Sequence, residues 1–125
     1  MAELLDDAKR KHIRGYPEVI TFLPEADVQF KGIRAWILQG EKQQLVFFDM
    51  EPSTQVPEHS HDYPQWGIMI EGEMELIIEG KSRICAKGDE YVIPAQAKHR
   101  AIFLRKSRVI DFFSERNRYR PRPVR

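Results

Sequence analysis

The chain has 125 residues and a formal net charge of +1, from 20 Lys and Arg against 19 Asp and Glu. That length suits one domain with a real but small core, and the near-neutral balance argues against a general nucleic-acid-binding surface. The single cysteine, Cys85, leaves no intramolecular disulfide, so a reducing cytoplasm is the expected setting and Cys85 is expected as a small buried strand residue.

No apolar run approaches membrane-spanning length, and the N-terminus carries acids before its bases with no signal-peptide core. A soluble protein with no membrane partner is expected. Residues 2 to about 11 are good helix formers, acids early and bases late as the helix dipole prefers. A short N-terminal helical segment is therefore expected over about 2–14, packed on something because so short a helix is unstable alone. His12 reads as a solvated residue of that helix, and Gly15 and Pro17 end it. Val19-Ile-Thr-Phe22 reads as a first strand stopped by Pro24. Ile33 to Leu38 and Leu45 to Met50, rich in β-branched and aromatic residues, read as a hairpin turning around Gly40.

The next stretch, Val56-Pro-Glu-His59-Ser-His61-Asp-Tyr-Pro-Gln65-Trp-Gly, concentrates potential metal donors. On an extended strand successive side chains alternate faces, so His59 and His61 point the same way and can reach one ion from one wall. Gln65 follows a kink at Pro64 and offers a carbonyl oxygen. His99 completes the set only if a different strand brings it opposite. Taken alone, two same-face histidines and a glutamine can equally be hydrogen-bonded surface groups.

From Trp66 onward, Glu71-Gly72, Glu79-Gly80 and Lys87-Gly88-Asp89 separate short apolar runs. The spacing is about eight residues, the rhythm of an antiparallel barrel or sandwich. The runs are Trp66 to Ile70, Met74 to Ile78, Arg83 to Ala86, Tyr91 to Ile93, His99 to Leu104 and Val109 to Phe113. Trp66 to Ile70 is apolar throughout, so both faces need covering. The outer cover is either a second subunit or the N-terminal helix or first strand. In the last run Val109, Asp111 and Phe113 share a face, and a carboxylate between two apolar residues needs a wet pocket or a partner arginine at the barrel rim. The tail from Arg116 to Arg125 holds five arginines, no acid and two prolines, and reads as a solvated or partner-packed end, with contact to a polyanion's phosphates as the lesser alternative.

Written out, the spacing is His59-x-His61, three residues, Gln65, six residues, Gly72, and later Gly88, five residues, Pro94, Gln96, two residues, His99. In this it resembles the cupin superfamily, closely over about residues 55–103. Four positions depart from the motifs. Ser53 stands where the first has glycine and Gln65 where it has Glu; Gln96 and Phe103 stand where the second has glycine and Asn. The resemblance implies an all-β, double-stranded β-helix (jelly-roll) barrel over about 18–114, one domain across 1–125 with the tail at 115–125, and a homodimer. It also implies a metal held by His59, His61, Gln65 and His99. Three imidazoles and an amide are all neutral, so the full charge of a divalent ion stays uncompensated and the ion attracts an anionic ligand. Zn, Fe, Mn, Ni, Co and Cu all suit such donors.

A narrower resemblance is to pectin-degradation cupins that linearise unsaturated uronates. It rests on His59, His61, Gln65, His99, Asp111 and Phe113, with Arg116 and Arg118 lying either side of the place where those proteins carry an arginine. It implies an anionic sugar acid as ligand, Asp111 as acid or base, and an arginine on the carboxylate. Three readings stay open: a metal-dependent isomerase or lyase on a small polar or anionic metabolite, a metal-dependent dioxygenase, and a non-enzymatic small-ligand binding or sensing module. Specificity depends on which of Trp36, Phe47, Met69, Tyr91 and Phe103 face inward. Tyr63 and Arg34 are either site-lining or surface residues.

Overall fold

Alternation of apolar and polar side chains organises the described residues, 15–123 of the computed structural model, into nine strands. The helix expected over 2–14, with His12, lies outside the described residues. The strands are β1 (Ile33–Gln39), β2 (Gln44–Met50), β3 (Gln55–His59), β4 (Gln65–Glu71), β5 (Glu73–Ile78), β6 (Lys81–Ala86), β7 (Glu90–Ile93), β8 (His99–Phe103) and β9 (Ser107–Phe113). Each run read from the sequence after Gly32 corresponds to one of them, and β1 and β2 form the expected hairpin, from Ile33 opposite Met50 to Gln39 opposite Gln44.

Two antiparallel sheets result, in the orders β1-β2-β9-β4-β7 and β3-β8-β5-β6. This is the jelly-roll arrangement, in which the strand neighbours are mostly distant in sequence. The inner faces meet in one core that includes Ala35, Val46, Met69, Ile93, Val109 and Cys85, each at most 1% exposed. Cys85 is thus the buried strand residue expected of it.

One segment departs from the sequence reading. Val19 to Phe22 is not a strand; Glu18–Thr21 make a single helical turn, α1, closed by amides of Thr21 and Phe22 bonding to the carbonyls of Pro17 and Glu18. The β preference of Val, Ile and Phe expresses packing on a neighbouring strand. Among the described residues no strand lies alongside, and Val19 and Phe22 are 75% and 80% exposed.

Among the described residues the apolar run Trp66 to Ile70 is covered on one side only. Met69 is buried inside, whereas Trp66 lies outside on Phe112 with ring centroids 5.5 Å apart and remains 43% exposed. Trp36 and Phe47 also belong to the outer face, where Tyr16 covers both rings edge-on at 5.9 and 5.8 Å.

The tail is strapped back onto the barrel. Buried Gln44 exchanges hydrogen bonds with Tyr119, donating to its carbonyl and accepting from its amide, both at 3.0 Å. Arg120 and Arg122 then pair through the backbone with Asp27 and Glu25. Two departures from the cupin motifs retain the backbone of the glycine they replace: Ser53 and Gln96 have φ of +69° and +71°. These are left-handed conformations that L-residues adopt at a cost.

Candidate metal centre

Three turns converge where β3 ends, β4 begins and β8 begins. His59 is the last residue of β3, His99 the first of β8, and the two stand opposite each other in register. A bulge between Val56 and His59 re-aims the end of β3. His61 lies just beyond that strand rather than on it. The ring centroids are 4.1 Å apart for His59 and His99, 5.0 Å for His61 and His99, and 5.7 Å for His59 and His61. One ring nitrogen from each lies within 4.8 Å of the others.

The proton positions follow from the backbone. Each Nδ1 meets a carbonyl two residues away: His59 with Pro57 at 2.9 Å, His61 with Tyr63 at 2.7 Å, His99 with Ala97 at 2.9 Å. A carbonyl only accepts, so each Nδ1 carries the proton and each Nε2 presents a lone pair, that of His59 facing a guanidinium nitrogen of Arg118 at 3.4 Å. Nε2 of His99 is buried with no hydrogen-bond partner among the described residues. Nε2 of His61 faces Oε1 of Gln65, the first residue of β4, at 3.1 Å. Two lone pairs facing each other make no hydrogen bond; they make sense as donors to a shared cation. Burial pushes the pKa of His59 down, and burial together with the charges of His59, His61 and Arg118 pushes that of His99 down to about 4. The rings of His59 and His99 are therefore neutral and ready to ligate at physiological pH. Three imidazoles with an amide oxygen fit a divalent transition ion.

Asp111 sits on the inner face of β9 and is 6% exposed. It lines a cavity of about 380 Å³ together with His59, Gln65, His99, Phe113 and Arg118. Of the two environments the sequence left open, the pocket is the one found, and Asp111 makes no ion pair among the described residues. The Tyr91 hydroxyl donates to its Oδ1 at 2.7 Å, and the Gln65 amide donates to it as well. Burial raises the Asp111 pKa to about 6 against the opposing pull of these bonds and of Arg118.

The arginine ambiguity resolves in space. Arg116 is exposed, whereas the guanidinium of Arg118 lies 5.4 and 5.0 Å from the rings of Phe113 and Tyr119 and hydrogen-bonds the hydroxyls of Tyr63 and Tyr119. Nothing in the tail's composition marks Arg118 among five arginines; the Gln44–Tyr119 exchange selects it. Of the five residues considered for specificity, Tyr91 and Phe103 line the cavity, and Trp36, Phe47 and Met69 do not. Tyr63 stacks on His61 with centroids 4.4 Å apart, while Arg34 is a surface residue paired with Glu25. The role of Tyr91 was missed in the sequence. The available signal was Gly67, a glycine inside an apolar strand, which marks a close approach.

A family model described as a cupin domain matches residues 46–111. Among solved structures, KdgF from Halomonas sp. is 29% identical, with a TM-score of 0.71 over 78% of this chain and 91% of its own. An RmlC-like cupin from Shewanella frigidimarina is 20% identical, with a TM-score of 0.70 over 83% and 90%. Oxalate decarboxylase from Bacillus subtilis, which has Mn(II) centres, is 21% identical, with a TM-score of 0.64 over 74% of this chain and 28% of its own. The last two show likeness of fold alone. No curated protein sequence matches the chain. With the family model spanning most of the barrel, and two antiparallel sheets closing around a candidate three-histidine centre, the chain belongs to the cupin family.

Proposed function

We propose that this cupin is a metal-dependent isomerase or lyase acting on a small anionic metabolite of the unsaturated-uronate kind. The observation that carries the reading is Asp111: a buried carboxyl, with its pKa raised to about 6, on the wall of the cavity that His59 and His99 also line. A group with that proton affinity can both take and return a proton near neutral pH. Asp111 would remove a proton from carbon or hydroxyl and deliver it elsewhere on the same molecule, which leaves the protein unchanged after one turnover. Arg118 would hold the substrate's carboxylate, since its guanidinium faces the cavity without an acidic partner among the described residues. An ion on His59, His61, Gln65 and His99 would polarise the substrate's carbonyl or hydroxyl. Support for the uronate class comes from the 29% identity to KdgF, a uronate-linearising cupin, and from the six matching side chains.

The test is elemental analysis of chelator-free protein, native and His99→Ala, followed by incubation with an unsaturated uronate monitored by NMR. About one equivalent of transition metal, lost in the variant, together with substrate conversion, is the expected result. Oxygen consumption by an iron- or copper-loaded protein would move the chemistry to a dioxygenase. Tight uronate binding without turnover would leave a binding module.

We also infer a homodimer formed through the outer face of the five-stranded sheet. Leu38, Leu45, Phe112, Trp66 and Val92 are successive register partners and form one apolar row across all five strands. A second copy of the same row is a self-complementary cover for it.

A further inference from the structure

Gln65 faces two groups at once. Its Oε1 is 3.1 Å from Nε2 of His61, on the metal side, while its amide nitrogen donates to Asp111. A carboxylate only accepts, so Asp111 can face the NH2 end of the amide and not the oxygen. The oxygen is thereby turned toward the ring nitrogens. Asp111 is in turn held by the Tyr91 hydroxyl at 2.7 Å. The three strands are built for this contact. Gly67 of β4 is the register partner of both Tyr91 on β7 and Asp111 on β9. A Cβ at Gly67 would fall inside the van der Waals contact of Asp111 Oδ1 and of the Tyr91 ring, so the glycine is the gap across which the two meet.

We infer that Asp111 supplies the metal, by way of the Gln65 amide, with the negative charge that its four neutral donors lack, and that Tyr91 is the positioning residue that holds Asp111 in place for this. Donation from the Gln65 NH2 to a carboxylate draws electron density onto Oε1, which strengthens an otherwise weak ligand. Without the carboxylate the amide is free to rotate and present its NH2 to the ion. The assignment rests on the metal-centre reading above and adds a ground-state duty to Asp111 beyond proton transfer.

The test is a cycle of Mn(II) affinities, measured from the EPR signal of free Mn(II), on native protein, Asp111→Asn, Gln65→Glu and the double variant, each checked for native circular dichroism. Asp111→Asn is expected to weaken Mn(II) binding by about tenfold or more. Gln65→Glu with Asp111 present is expected to stay within about threefold of native, because two carboxylates in contact cannot both remain charged and the pair still offers one negative charge. Adding Gln65→Glu to Asp111→Asn is expected to recover native affinity within about threefold, since the charge now sits on the ligand itself. Tyr91→Phe, which keeps the ring, is expected to weaken binding about threefold in the native background and not at all on top of Asp111→Asn.

Native-like affinity in Asp111→Asn, failure of the double variant to recover, or an equal gain from Gln65→Glu in both backgrounds would overturn the assignment while the metal centre stands. Absence of any Mn(II) binding by native protein, and of any other divalent transition ion, would remove the metal centre and this assignment together.

Discussion

One guanidinium nitrogen of Arg118 lies 3.4 Å from Nε2 of His59, although 59 positions separate them in the chain. A fixed cation beside a ring nitrogen that would ligate a divalent ion raises the charge of the site further, and only an anion between them offsets it. Arg118→Gln is therefore expected to tighten Mn(II) binding in the absence of ligand and to weaken a uronate by about tenfold or more. Calorimetric titration of metal, then of the anion, reads both. A variant that weakens the metal and leaves the anion unchanged would argue that Arg118 is a structural clamp.

The Asp111 charge is held in the folded state at a cost. Its carboxyl has a pKa of about 6 when folded against an ordinary carboxylate value of 3.8, so the folded chain binds a proton over that interval while the unfolded chain does not. The penalty is full above about pH 6, shrinks as pH falls through that value, and is gone below the unfolded value. For metal-free protein, the stability of Asp111→Asn relative to native is expected to be most favourable near pH 7 and to decline toward pH 4.5. Urea midpoints at the two pH values measure the difference; a constant difference would contradict it.

His99 works in the opposite sense. Its pKa falls from 6.5 to about 4 on folding, so the unfolded chain takes up the proton first, and this contribution to stability is lost as pH drops from 6.5 toward 4. Protonation also removes the lone pair that ligates. Metal occupancy is expected to fall steeply on acidification through the same interval, and dialysis against Mn(II) buffers at stepped pH checks it.

Gly67→Ala places a methyl group against both Asp111 and Tyr91. The neighbours belong to paired strands and have little room to yield, so a loss of roughly 1–3 kcal/mol is expected from overpacking. Chemical denaturation measures it. The variant should also lose metal affinity, because the Tyr91–Asp111 bond is what the methyl group wedges apart.

Trp66→Glu puts a charge in the middle of the outer apolar row, where Trp66 packs on Phe112. Sedimentation is expected to show a dimer for the native chain and a monomer for the variant, with the β signature in circular dichroism retained. A native monomer at tens of micromolar would dismiss the proposed interface.

The strand positions were largely legible because period-two alternation reports a buried face and a solvated one, and turn residues punctuate it. The runs ending in Met50, Ile78 and Phe113 were read nearly to the residue. Val19 to Phe22 misled because a strand's preference is a property of its neighbours, and the sequence does not say that this segment has none. The candidate donors could be named through the resemblance, because the local spacing of His59, His61 and Gln65 taken alone fits hydrogen-bonded surface groups equally well. Their protonation could not, because it depends on where the carbonyls of Pro57, Tyr63 and Ala97 point.

By itself, then, the sequence determined which segments form the barrel and which side chains are candidate metal donors, because the first is written in alternation and the second in motif spacing. Tertiary structure alone decided that Arg118 rather than Arg116 enters the site, that Tyr91 meets Asp111 across Gly67, and that Asp111 sits behind Gln65. Those relationships join strands that are adjacent in the sheet and far apart in the chain. Their geometry is set by register and by the hydrogen-bonded strap at Gln44, and neither leaves a local signature in the order of residues.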